Sequence, residues 1–437
     1  MKASNNALRR QLGLWDAVIL GLGSIIGTGV FVGIALAAGV GGPLILPGIL
    51  VAAALAGINA SSSAKLAASH PVSGGTYEYG YTYLNPWLGF TAGWMFLCAK
   101  TASAASAAIG LTAYALQFSS LAFSPYIPRL LAVSLVVILA TTVAIGIRMS
   151  IRTLRILIAV SISALIAFVA VSAPAAIANG PVNLTSLGSI GVGNDLILAM
   201  FRSVALLFVA FTGYARVATL GEEVVEPRRT ISKAIGLTLI VTTILYLLVG
   251  ISAVGSIGAE RFSSFSNSGS APLQLAAAAL GHPTVAKLIA LGAITAMLGV
   301  VLNLILGLSR VLLAMGRRGD LPADFCRLDH KGYPPLVTIL VPGTLIAVLA
   351  GLFTVHVAWS FSAFSVLVYY AITNLAALKL KGTVHDRNLA YLGICANLML
   401  ACFIEWKTAL LGSTLIAMGL AYHLIRRRLT LSNSTTT

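Results

Sequence analysis

The groups with most chemical potential in this chain are peptide bonds rather than side chains. The stretch Gly21-Leu22-Gly23-Ser24-Ile25-Ile26-Gly27-Thr28-Gly29-Val30-Phe31 lies in the middle of an apolar segment running from Leu14 to about Ala38. Each glycine weakens a helix interior by roughly 1 kcal/mol relative to alanine. Four in nine residues therefore predict a helix that breaks. Backbone that leaves the helical pattern at membrane depth must be satisfied by other protein or by a polar cavity. Such a break offers N–H groups to an anion at one half-helix end and carbonyls to a cation at the other. A zwitterion such as an amino acid carries both charges. The same glycines would also serve close helix packing, since Gly23 and Gly27 have small-xxx-small spacing.

The other chemically notable residue is Lys100, within Phe96-Leu97-Cys98-Ala99-Lys100-Thr101. An ionisable group so deep in an apolar run is expensive and is expected to face the bundle interior, where it is a functional candidate. Snorkelling toward an interface is its alternative. Glu222 and Glu223, after Phe211-Thr212-Gly213-Tyr214, are expected to pair with basic residues of neighbouring loops. Six scattered histidines form no close metal-binding pair, and Cys98, Cys326, Cys395 and Cys402 show neither metal spacing nor a disulfide framework. No metal and no cofactor are expected. Neither a nucleophile–base constellation nor a phosphate loop is present, so an enzyme or an ATP-driven pump is not predicted. Nor is there a carboxylate ring or a selectivity-filter motif to suggest a channel.

The elements that must position these residues follow from hydropathy. Of 437 residues 58% are hydrophobic and 9% charged, and the mean hydropathy is +0.95, values of a polytopic membrane protein. Apolar runs of roughly 20 residues, enough to cross the hydrocarbon, recur some twelve times between residues 14 and 426. The net charge of +16 comes from short basic clusters between these runs, which argues against nucleic acid as a partner. With both termini cytoplasmic, Lys65, Arg155, Arg228, Arg317, Lys381 and Arg426 all fall inside, whereas Arg129, Arg261, Lys287 and Lys407 remain outside. The first apolar run is too long for a signal peptide and is expected to be retained. The sixth span repeats the peculiarity of the first, with Gly213 in mid-segment. Breaks in spans one and six of ten imply two five-helix repeats, inverted in the membrane. The expected organisation is a cytoplasmic N-terminus over 1–13, repeats over 14–180 and 194–381, two further helices over 388–426 and a cytoplasmic tail over 427–437. Residues 69–81, rich in tyrosine and glycine, suit an interfacial segment packed under the bundle or a plain surface helix.

Four motifs, in order and at matching spans, resemble the amino acid–polyamine–organocation (APC) superfamily. They are the opening glycine stretch, Pro71-Val72-Ser73-Gly74-Gly75-Thr76-Tyr77, Phe211-Thr212-Gly213-Tyr214 with Glu222-Glu223 and Pro227-Arg228-Arg229, and Ser309-Arg310 through Gly319-Asp320-Leu321-Pro322. The resemblance implies an all-α membrane protein of the leucine-transporter type, with about 12 helices and a 5+5 inverted repeat. It further implies that the amides of Gly27, Thr28 and Gly29 hold a substrate carboxylate, while carbonyls near Ser24, Ile25 and Ile26, with Phe211, hold its ammonium. Phe208, Val209, Thr212 and Tyr214 would line the gap and set selectivity. Family members often place a lysine on span 5, where this chain has Ser161, and some place a glutamate near Ala99. With both absent, Lys100 becomes the coupling candidate beside Ser161, as the internal cation standing where sodium would otherwise sit. The expected function is a plasma-membrane permease moving amino acids by alternating access, proton-coupled or exchanging. No acid is placed centrally on spans 1 or 6, which favours neutral over cationic substrates; a polyamine or organic-cation carrier is the alternative.

Overall fold

The structure, a computed structural model, describes residues 13–70, 74–119, 126–146, 151–187, 194–214, 224–267, 271–326 and 335–434. Glu222 and Glu223 lie outside them. Among the described residues nine stretches are long and apolar enough to cross a membrane. The first, Leu14–Ser69, is 56 residues long and holds two crossings, divided at the short 3-10 turn Gly42–Leu44. Two further helices meet the criterion less well, so the expected count of about twelve spans is not established. Val337–Leu352 is apolar but short, and Val384–Phe403 opens on the polar residues His385, Asp386, Arg387 and Asn388.

In chain order, α1 (Leu14–Ile25), a π turn (Gly29–Gly33) and α2 (Ile34–Gly41) make the first crossing, and α3 (Ile45–Ser69) the second. The amphipathic α4 (Thr76–Tyr83) leads into α5 (Pro86–Ser119), α6 (Ile127–Ala144) and α7 (Ile151–Asn183). The second half begins with α8 (Asn194–Phe211), which gives way to a 3-10 turn at Thr212–Tyr214, and continues with α9 (Pro227–Ile257). Two short helices, α10 (Ala259–Asn267) and α11 (Pro272–Ala279), precede α12 (Pro283–Arg317), α13 (Val337–Leu352) and α14 (Val355–Ala377). Finally come α15 (Val384–Phe403) and α16 (Trp406–Ser434). The sequence pattern did not predict α10 and α11: α10 is serine-rich, and α11, though largely apolar, has only eight residues, too few for a span.

Burial divides the helices between centre and periphery. α1 to α3, α5 and α14 are mostly buried, whereas α6, α7 and α16 present large apolar side chains such as Ile138, Ile166 and Leu410 outward, as lipid-facing helices do. Polar side chains stitch the interior. Asn59 on α3, Asn374 on α14 and Asn397 on α15 are wholly buried and bonded to one another: the Asn374 and Asn397 amides donate to Asn59 Oδ1 at 2.6 and 2.9 Å. Ser62 donates to Asn374 Oδ1 at 2.7 Å. Asparagine clusters of this kind satisfy each other where neither water nor lipid can.

Candidate functional site

Both helix breaks occur where the glycines predict them, and they meet. The α1 ladder ends with Ile26 N–H donating to Leu22 O at 2.7 Å, and Phe31 N–H reaches back to Gly27 O at 3.2 Å. Thr28 and Gly29 thus stand at the start of a new helical segment, where the first N–H groups lack partners in their own helix. Gly213, in the α8 break, lies against the α1 end: a β-carbon there would stand 2.1 Å from Ser24 O and 2.7 Å from Ile25 N. Only glycine permits this approach. Gly29 is similarly pressed on α8, with a hypothetical β-carbon 2.6 Å from the Ala210 Cβ.

Tyr246 on α9 fastens the two breaks. Its buried hydroxyl shares its hydrogen between the carbonyl oxygens of Ile25 at 3.0 Å and Ala210 at 3.2 Å. Asn303 on α12 donates to Ser24 Oγ at 2.8 Å, and Ser24 Oγ donates to Leu20 O at 2.9 Å. Neither Tyr246 nor Asn303 was legible as a site residue, because each is connected to the break only through the tertiary fold.

A cavity lies beside this junction. Ser24, Ile25, Thr28, Gly29, Val209 and Thr212 of the expected set line it, together with Lys100, Ala210, Gly213, Asn303 and Trp359. Ile26 and Gly27 do not. Ile26 lines a smaller apolar recess with Ser161, and Gly27 faces Val300 of α12. Phe208, Phe211 and Tyr214 are buried but pack elsewhere, Phe208 and Tyr214 against the Tyr370 ring and Phe211 against Tyr246. The helical period accounts for this: Val209 and Thr212 share one stripe of α8, and Phe208 and Phe211 share the neighbouring one.

Lys100 points inward rather than snorkelling. It is buried on α5 and donates from Nζ to Thr212 Oγ1 at 3.2 Å, so it joins the first half of the chain to the second at the α8 break. Ser161 is engaged elsewhere, donating to Leu157 O at 2.8 Å and Gly292 O at 3.0 Å, with Thr295 Oγ1 at 3.4 Å. The two coupling candidates thus occupy different cavities and share no partner.

The central cavity extends from the breaks toward α4 and the end of α12, where Gly74, Gly75, Thr76 and Arg310 line it. Ser24, Asn303, Gly307 and Arg310 are only half-buried along that path. On the opposite side the junction is covered. The Trp359 indole packs over Gly33 and donates to Leu206 O at 3.0 Å, while Tyr114 OH donates to Phe31 O at 2.7 Å and accepts from Leu273 N–H of α11 at 3.3 Å.

At the α4 end a second polar cluster holds the bundle together. Gly74 and Gly75 take positive φ values of 118° and 57° to turn the chain into α4, conformations that side chains resist. From α4, Tyr77 and Tyr81 both donate to Asp320 Oδ2 at 2.7 Å, while His423 Nδ1 of α16 lies 3.2 Å from Asp320 Oδ1. Arg318 pairs with Glu78 and stacks over the Tyr81 ring at 4.5 Å. Burial, then the hydrogen bond to Asp320, raises both phenols above the ordinary tyrosine value. Arg155 of α7 pairs with Asp16 of α1 at the same end.

With this geometry in view, the relatives are informative. A sequence model of the amino acid permease family matches residues 16–432. An uncharacterised transporter of Mycobacterium tuberculosis (strain H37Rv) is 39% identical over 426 residues, 97% of this chain and 92% of its own. The branched-chain amino acid permease BcaP of Bacillus subtilis is 27% identical over 453 residues, covering 98% of this chain and 95% of its own. MhsT, solved in complex with L-phenylalanine, shares the fold with a TM-score of 0.60 over 91% of this chain and 100% of its own, at 16% identity. The family match begins in the first broken helix and runs into the last one, and the chain accordingly belongs to the amino acid permease family, the multi-pass membrane transporters of the APC superfamily.

Proposed function

We propose that the protein moves amino acids across the plasma membrane by alternating access of two inverted five-helix repeats, residues 14–180 and 194–381. The observation that carries this is the direct backbone contact between the two helix breaks at Gly213 and Ser24, on the wall of one cavity. There the amides of Thr28 and Gly29 hold the substrate carboxylate, and the carbonyls of Ser24 and Ile25 hold its ammonium, since these four line the cavity whereas Ile26 and Gly27 do not. Peptide dipoles bind both charges without a buried counter-ion, whose desolvation would be costly. Since Tyr246 already occupies the Ile25 carbonyl, the ammonium falls mainly to the neighbouring oxygens.

The positive-inside rule puts the end bearing Arg155, Arg317 and Arg426 in the cytoplasm, with both termini. The cavity runs toward that end, so this is an inward-facing form. Lys100 supplies a fixed cation between the two halves, and transport is sodium-independent, either proton-coupled or exchanging. Among the described residues the cavity wall holds Lys100 and Arg310 and no carboxylate. That wall favours neutral over cationic amino acids and opposes a polyamine or organic-cation carrier.

The test is counterflow with the purified full-length protein in proteoliposomes, preloaded with a mixture of the twenty amino acids and assayed without sodium. Saturable uptake of at least one labelled amino acid is expected, with the decarboxylated amine competing far more weakly than its parent. Equal competition by the amine, or exchange of polyamines alone, would overturn the proposal.

A further inference from the structure

Lys100 introduces a charge into the cavity that no described neighbour balances. Its Nζ donates to Thr212 Oγ1 at 3.2 Å, and the Thr212 hydroxyl in turn donates to Val209 O at 2.9 Å. The lysine is therefore bonded to a single neutral oxygen. An ammonium carries three N–H donors, so two remain for whatever fills the space. Among the described residues no aspartate or glutamate lines this cavity, and Glu78, on the neighbouring α4, is already paired with Arg318. A second group on the same wall is also unused: the Thr28 hydroxyl is buried and has no hydrogen-bond partner.

A buried ammonium with no partner is unfavourable, and a bound carboxylate restores the balance. A zwitterion seated across the two breaks brings both charges at once and leaves the excess positive charge in place. A substrate with one further carboxylate removes it. Its α-carboxylate and α-ammonium engage the breaks, and its side-chain carboxylate accepts the free N–H groups of Lys100.

Resting on the amino acid reading above, we propose that the central cavity prefers an anionic amino acid, of the aspartate or glutamate type, with Lys100 as the residue that binds its side-chain carboxylate. Neutral amino acids rank second and cationic ones last.

Near-isosteric pairs provide the test. In the same proteoliposomes, glutamate is compared with glutamine, and aspartate with asparagine, as competitors of counterflow, with glutarate as a third arm that keeps both carboxylates but lacks the ammonium. At least one acid is expected to compete about tenfold more tightly than its amide, the scale of one charge-assisted hydrogen bond. In Lys100→Gln that ratio should fall to about one or below, and in Lys100→Arg it should stay above one. Acid-to-amide ratios at or below one in the wild type overturn the proposal without any variant, and so does a ratio that Lys100→Gln leaves unchanged. Glutarate matching glutamate would instead overturn the amino acid reading itself, as would a failure of every amino acid to exchange.

Discussion

Gly213 lies so close to Ser24 that a β-carbon at 213 would stand 2.1 Å from the Ser24 carbonyl oxygen. The obstacle is backbone, which cannot rotate aside as a flexible side chain would. Gly213→Ala must push the α8 break away from α1, at a cost of about 1–3 kcal/mol for overpacking. Purified Gly213→Ala should show a lower Tm and at least a tenfold loss of counterflow. Wild-type uptake by this variant would show that contact between the breaks is dispensable.

Gly29→Val tests the amides directly. The new side chain would collide with Ala210 and approach the Tyr246 hydroxyl, 3.1 Å from the β-carbon position. Folded protein without uptake is the expected outcome. Full uptake would remove the first break from substrate binding.

Tyr246→Phe removes one hydroxyl and leaves two buried carbonyls, those of Ile25 and Ala210, without that donor. Loss of a partner for a buried group costs about 1–3 kcal/mol. A lower Tm should accompany weaker substrate affinity. Unchanged affinity at a lowered Tm would mark Tyr246 as a strut alone.

The Asp320 cluster gives a graded comparison. Asp320→Asn weakens one buried and one partly buried phenol hydrogen bond and should lower stability by about 1–3 kcal/mol, whereas Glu78→Gln breaks a partly exposed pair and should cost about 0–1 kcal/mol. Equal effects on Tm would contradict this ranking. The pH dependence has a definite sign. Burial and the hydrogen bond to Asp320 hold both phenols above the ordinary tyrosine value of 10.0 in the fold, so the folded state holds their protons more tightly than the unfolded state. Their contribution is complete below pH 10 and is lost as the pH rises beyond it. Tm should fall above pH 10, and a Tyr77→Phe, Tyr81→Phe double variant should flatten that fall.

Coupling is tested by replacing sodium with choline during uptake and, separately, by imposing a pH gradient. Uptake unaffected by the replacement is expected. If protons drive it, the wild type should respond to the gradient and Lys100→Ala should lose the response. A strict sodium requirement would refute the proposed coupling.

The breaks were legible because glycine in an apolar run has a local, additive effect on helices, and Lys100 stood out because charge is rare in such a run. Phe208, Phe211 and Tyr214 show where local information ends. Their place in the sixth span was clear, but the face of α8 that meets the cavity depends on which neighbours surround it. Tyr246, Asn303 and Trp359 were hidden for a related reason. A tyrosine, an asparagine or a tryptophan on an apolar helix has many ordinary uses, and its partner here lies on a distant span. The Pro71-Val72-Ser73-Gly74-Gly75-Thr76-Tyr77 motif was visible, yet its link to Asp320 depended on α4 folding back beneath α12.

The buried asparagines have a mechanical consequence. Asn59 lies on α3, Asn374 on α14 and Asn397 on α15, so the cluster ties an early helix to two late ones. Drawing them apart would strand several amide groups in a dry interior, at a cost of about 1–3 kcal/mol for each group left without a partner, so this contact is a seam that resists separation of α3, α14 and α15.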